Sequence, residues 1–195
     1  MTDFSILLFD GFETLDAMGP AEIIGILPGL FRLRYCSLQG GIVTSDQGLR
    51  ADTDPASTIP PGGVLLIPGG AGTRQLIRDP AAVRGVAALS DASEYTLTVC
   101  TGALLLGKTG LLDGRDATTN KLLFDSVAAA NPHVRWHRKA RWVQDGKYYT
   151  SSGVTAGMDM VLGFIRDTVG GGTASAAARD IEFLWNEDKD SDPFA

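Results

Sequence analysis

Cys100 carries the strongest chemical signal in this sequence. A β-rich segment, Tyr95 to Val99, runs into Cys100-Thr101-Gly102, and an apolar helical run begins at Ala103. A cysteine attacks as its thiolate, and unpaired N–H groups at a helix start favour that anion. A strand, a sharp turn and a helix are also the parts of a nucleophile elbow, with Gly102 giving room for the tight approach. The competing reading is a small buried apolar residue, the usual fate of a free cysteine. Cys36, the only other cysteine, sits inside a strand pattern with no such turn and reads as core.

Two further segments fall where such a nucleophile needs partners. Pro68-Gly69-Gly70-Ala71-Gly72 follows the apolar run Val64 to Ile67. Glycines after a strand let backbone N–H groups face a pocket and hold developing negative charge. The phosphate-binding readings fail, because no Gly-Lys-Ser/Thr follows and the G-x-G-x-x-G spacing is absent. The other segment is Asp10 to Asp16, after the apolar run Ser5 to Phe9.

These segments need a frame. Ser5 to Phe9, Phe31 to Ser37, Val64 to Ile67 and Tyr95 to Val99 read as strands, and 40–61 as short strands and loops. Helices are predicted over 17–27, over 73–89 with a break at Asp79-Pro80, and from Ala103. A short strand at 117–119, a helix over 121–130, a hairpin over 140–151 turning at Asp145-Gly146, and helices over 155–169 and 173–185 complete the chain. Gly170-Gly171-Gly172 is expected to break the last two helices apart, and the final residues to be loose. Apolar strands alternating with helices predict an α/β fold with a mostly parallel sheet covered on both faces. No internal repeat or linker is present, so 1–195 reads as one domain. In such sheets ligands bind beyond the carboxyl ends of the strands, where the three segments above lie.

Bulk properties narrow the class. Hydrophobic residues make up 44% and charged residues 21%, which excludes wholesale disorder. A net charge of −6 argues against nucleic acid or an anionic membrane as partner. The basic cluster Arg135, Arg138, Lys139, Arg141 and the acidic tail Glu187, Asp188, Asp190, Asp192 read as solvated surface. Two cysteines make no disulfide framework and suggest a reducing, cytoplasmic setting. Neither a signal peptide nor a membrane-spanning stretch is expected.

Pro68-Gly69-Gly70, Val99-Cys100-Thr101-Gly102 and Leu15-Asp16-Ala17-Met18-Gly19-Pro20 together resemble the ThiJ/PfpI superfamily. Ala117-Thr118-Thr119 and Ser152-Gly153-Val154-Thr155-Ala156-Gly157 also fit, so the resemblance runs from Ile6 to about Phe183. It implies a flavodoxin-like sandwich related to class I glutamine amidotransferases, a homodimer and no cofactor. Within the superfamily the chain looks closest to the isocyanide hydratase branch. The resemblance makes Asp16 the acidic partner of Cys100. Beside a thiolate such a carboxyl should hold its proton. Helix capping is its alternative use. Thr101 would contact substrate or Asp16, or cap its helix. Gly153-Val154 would pack against the sulfur, and backbone N–H groups at Gly69-Gly70 and Thr101 would polarise a substrate. Many relatives carry histidine where Asn120 stands or directly after the cysteine. Here His133 and His137 are the only histidines, and both read as surface. A Cys-His-Asp hydrolase would lack its base.

The leading expectation is hydration of a small-molecule isocyanide to an N-formamide by Cys100 and Asp16. A cofactor-independent glyoxalase or related α-oxoaldehyde enzyme is one alternative. A cysteine redox sensor without turnover is another. Ile23, Ile24, Ile26 and Leu27 could supply a dimer interface or the buried face of one helix.

Overall fold

The computed structural model describes residues 1–195. The strands are β1 (Thr2–Leu7), β2 (Phe31–Ser37), β3 (Gly41–Thr44), β4 (Arg50–Pro55), β5 (Val64–Ile67), β6 (Tyr95–Thr98), β7 (Asp116–Ala117), β8 (Arg135–Trp136), β9 (Trp142–Asp145) and β10 (Tyr148–Ser151). The helices are α1 (Thr14–Gly25), α2 (Thr73–Leu76), α3 (Pro80–Ala92), α4 (Gly102–Lys108), α5 (Phe124–Ala130), α6 (Ala156–Thr168) and α7 (Gly171–Asp180).

Eight strands form one sheet in the order β3-β4-β2-β1-β5-β6-β10-β9. All neighbours pair in parallel except the two outermost strands, which run antiparallel. β7 and β8 pair separately. Alternation along the strands splits the core. Phe4, Ile6, Val64, Leu66 and Leu97 face α1, α6 and α7. Leu7, Cys36, Leu65 and Ile67 face Val86 of α3 and Leu105 and Leu106 of α4. Helices therefore cover both faces of the sheet, as in a flavodoxin-like sandwich. Ile23 and Ile24, weighed above for a dimer interface, are fully buried in this core.

The departures from the sequence reading have local causes. α1 begins at Thr14, three residues before the expected start, so Pro20 lies inside the helix and not in its first turn. Asp79 caps α3 by accepting the Ala81 N–H at 2.8 Å, which explains the break before Pro80. α7 starts at Gly171, within the triple glycine, and ends at Asp180. The final residues are tied down: Arg141 N–H donates to Lys189 O at 2.7 Å, and Asp192 N–H to Lys139 O at 2.7 Å. Arg141 and Asp192 are buried, which corrects the expectation that both charge clusters are solvated.

Candidate active site

The ends of β1, β5 and β6 converge on Cys100. Its φ is +56°, a left-handed conformation that costs a side-chain-bearing residue about 1–3 kcal/mol. The neighbouring main chain holds it there. Cys100 N–H donates to Ser152 O at 3.1 Å, and Cys100 O accepts the Thr119 hydroxyl at 2.8 Å. A side chain at Gly102 would collide with Ile67 O, so the close packing of α4 on β5 requires glycine there.

Asp16 lies in the first turn of α1 and is fully buried. It does not cap the helix; Glu13 occupies the cap position. One carboxyl oxygen, Oδ2, accepts the Gly69 N–H at 2.8 Å. The other, Oδ1, is buried with no hydrogen-bond partner. Burial is the main cause that raises the Asp16 pKa to about 7. The Gly69 N–H opposes this rise, while the charge of Glu13 adds to it. Asp16 is thus a carboxyl able to hold or release a proton near neutrality.

The Cys100 thiol departs from expectation. It is 9% exposed, and burial, followed by the Asp16 charge, pushes it up to about 12. The Thr101 N–H and hydroxyl favour the anion but do not reverse that rise. Burial and the neighbouring carboxylate thus work against the anion, while the Thr101 contacts work for it. Cys36 is likewise raised to about 12 by burial, and its S–H faces Ile6 O at 3.7 Å in the core.

The Thr101 hydroxyl accepts the Gly70 N–H at 3.1 Å and the Thr73 hydroxyl at 3.3 Å, and it does not cap α4. Thr101 stitches the cysteine turn to the glycine loop. The N–H groups of Gly69 and Gly70 are consequently engaged by Asp16 and Thr101, and are not free donors awaiting a substrate. Gly69 is hemmed in, since an added Cβ would lie 2.7 Å from Thr101 N and 2.8 Å from Asp16 Oδ2.

Gly153 and Val154 follow Ser152, the residue that holds the Cys100 N–H. Val154 is itself strained, with φ +43°. The Asn120 Cβ lies 3.4 Å from where a Gly153 Cβ would stand, and Asn120 Oδ1 is buried without a partner. Both histidines are exposed, and His137 pairs with Asp116 at 2.7 Å. Thr73, Thr119 and Ser152 were not singled out as site residues. Their contacts to the cysteine turn come from hydroxyls and carbonyls that no spacing rule marks. No cluster of three His, Cys, Asp or Glu side chains is placed to hold a metal. A cavity of about 730 Å³ lies at the ends of β1 and β2 under α3, lined by Leu8, Leu38, Ile59 and Leu89 among others, but Cys100 does not border it.

The DJ-1/PfpI family pattern matches residues 4–167. The chain belongs to the DJ-1/PfpI family. It is 33% identical to an isonitrile hydratase of Pseudomonas putida over 91% of this chain and 76% of that protein. A ThiJ/PfpI family protein from Pseudomonas syringae superposes with a TM-score of 0.84 at 30% identity, covering 98% of this chain and 76% of that one. The HTH-type transcriptional regulator CdhR of Pseudomonas aeruginosa is 29% identical over 86% of this chain and 51% of its own length. The sequence similarity thus extends to a protein named as an enzyme and to about half of a longer protein named as a regulator.

Proposed function

We propose that this DJ-1/PfpI protein hydrates isocyanides to N-substituted formamides. The observation that carries the reading is a buried Asp16, raised to about 7, with one oxygen fixed by Gly69 and the carboxyl close enough to Cys100 for each group to bias the other's proton. The similarity to an isonitrile hydratase supports the same substrate class.

The chemistry needs one nucleophile and one proton carrier. Asp16, as carboxylate, takes the thiol proton while sulfur bonds to the terminal carbon of R–N≡C. Asp16 then returns that proton to the same carbon, giving the thioimidate R–N=CH–S–Cys100. Water adds to this carbon, with its two protons ending on nitrogen and on the departing sulfur. Loss of the thiol leaves R–NH–CHO and restores Cys100–SH. Asp16, raised to about 7 chiefly by burial, can carry a proton in either direction near neutral pH.

Glyoxalase chemistry wants a second base, and no histidine lies at the cysteine. A redox sensor without turnover would show Cys100 oxidising far faster than Cys36 under peroxide and no formamide product. The test is incubation with a small aromatic isocyanide while following formamide absorbance. Turnover that vanishes in Cys100→Ala supports the reading, and absence of turnover in the unaltered protein overturns it. We also propose a homodimer, to be checked by sedimentation.

A further inference from the structure

Apart from the cysteine pocket, the fold buries one group of charges. The side chain of Arg141 is 8% exposed, Asp159 1% and Asp192 0%. Arg141 Nε donates to Asp159 Oδ2 at 2.6 Å, and a guanidinium nitrogen lies 3.8 Å from Asp192 Oδ2. Asp159 Oδ1 accepts the Asn186 N–H at 2.9 Å, and its carbonyl accepts Trp185 Nε1 at 3.1 Å. With the Lys189 and Asp192 backbone bonds already described, segment 185–192 is fastened at Asp159, Arg141 and Lys139 in turn.

Burying charges is costly, and an ion pair in the interior is weak evidence of added stability. What matters here is where the hydrogen bonds lead. Arg141 O accepts the Ser152 N–H at 2.8 Å, and Ser152 O accepts the Cys100 N–H at 3.1 Å. A second path starts at Lys121, whose charge faces Asp192 and the cations of Arg138 and Arg141. Lys121 Nζ donates to Ala140 O at 2.6 Å and to Thr119 O at 3.3 Å. The Thr119 hydroxyl in turn donates to Cys100 O. Both polar groups of the Cys100 main chain are thus reached from the charges that segment 185–192 completes.

We infer that segment 185–192 is a strap that holds the nucleophile in its strained conformation, with Arg141 and Asp192 as positioning residues. Neither touches the sulfur. A left-handed cysteine persists only where its surroundings over-determine it, and the strap supplies that constraint from outside the pocket. The inference stands apart from the isocyanide reading, since its test reads the thiol and not turnover.

The test is alkylation of the whole protein with iodoacetamide, with each cysteine followed by mass spectrometry. Cys36, fully buried in β2, reports global unfolding. Cys100 reports opening of the turn as well. Asp192→Asn keeps the shape and removes the charge, and is expected to speed alkylation of Cys100 about tenfold while leaving Cys36 unchanged. Arg141→Lys, which keeps a donor for Asp159, is expected to speed it less than Arg141→Met. Should the Arg141 variants fail to fold, Asp192→Asn decides alone. Equal acceleration at both thiols, or none at Cys100, overturns the inference.

Discussion

Replacing Asp16 by asparagine separates chemistry from stability. Its carboxyl titrates near 7 in the fold against an ordinary value of 3.8. The folded state therefore holds a proton that the unfolded chain has released between those values. Stability from this group is full below about pH 4 and is lost as pH rises to the folded pKa. Because Asp16 is fully buried, little solvent screening discounts the shift. Integrating the two titrations gives a loss of about 3 kcal/mol between about pH 4.5 and about pH 8. Asparagine keeps an acceptor for Gly69 N–H and does not titrate. Urea unfolding of both proteins across that range isolates the Asp16 contribution, since all other groups are shared. The stability of the unaltered protein relative to Asp16→Asn is expected to fall by about 3 kcal/mol as pH rises, while the variant loses turnover. A pH-independent difference would refute the reasoning, because it would mean that burial does not hold the proton on Asp16.

Other perturbations have defined outcomes. Gly69→Ala forces a Cβ against Thr101 and Asp16 and is expected to cost about 1–3 kcal/mol in thermal or urea unfolding, with loss of turnover. Thr101→Val leaves the Gly70 N–H unpaired. It is expected to destabilise by about 1–3 kcal/mol on urea unfolding and to lower kcat more than KM. Lys121 has its pKa lowered to about 8, chiefly by burial, so its burial as a cation opposes folding below that value. The stability difference between the unaltered protein and Lys121→Met should therefore shift in favour of the former as pH rises from about 8 towards the ordinary lysine value.

The cysteine turn was legible because its signal is local: an apolar strand, a small-residue turn and an apolar helix lie consecutively. Asp16 was named through family resemblance, and its position in space follows from β1 and β5 being neighbours in the sheet. The start of α1 was misplaced because Glu13 makes no side-chain cap, leaving no start signal except Pro20. The triple glycine was read as a breaker, yet α7 uses small residues to approach α6, and Ala174, Ala177 and Ala178 are buried there. Burial of Arg141 was invisible for a different reason. Its partners Asp159 and Asp192 are distant in sequence, and a basic cluster looks the same whether one member turns inward or not. The helix-start argument for the thiol considers only groups that favour the anion, whereas desolvation and the Asp16 charge oppose them in the fold.

The antiparallel outer strands have a consequence for the molecule in a crowded solution. An open sheet offers unpaired amides at its rims, and such rims recruit strands from other copies into aggregates. β3 and β9 are each only four residues long, and the Trp142 N–H of β9 is already taken by Lys189 O. Exposed Asp188 and Asp190 lie in that same covering stretch, so one copy approaching another along this rim brings like charges together. Sheet growth is discouraged there by an obstruction and by repulsion at once.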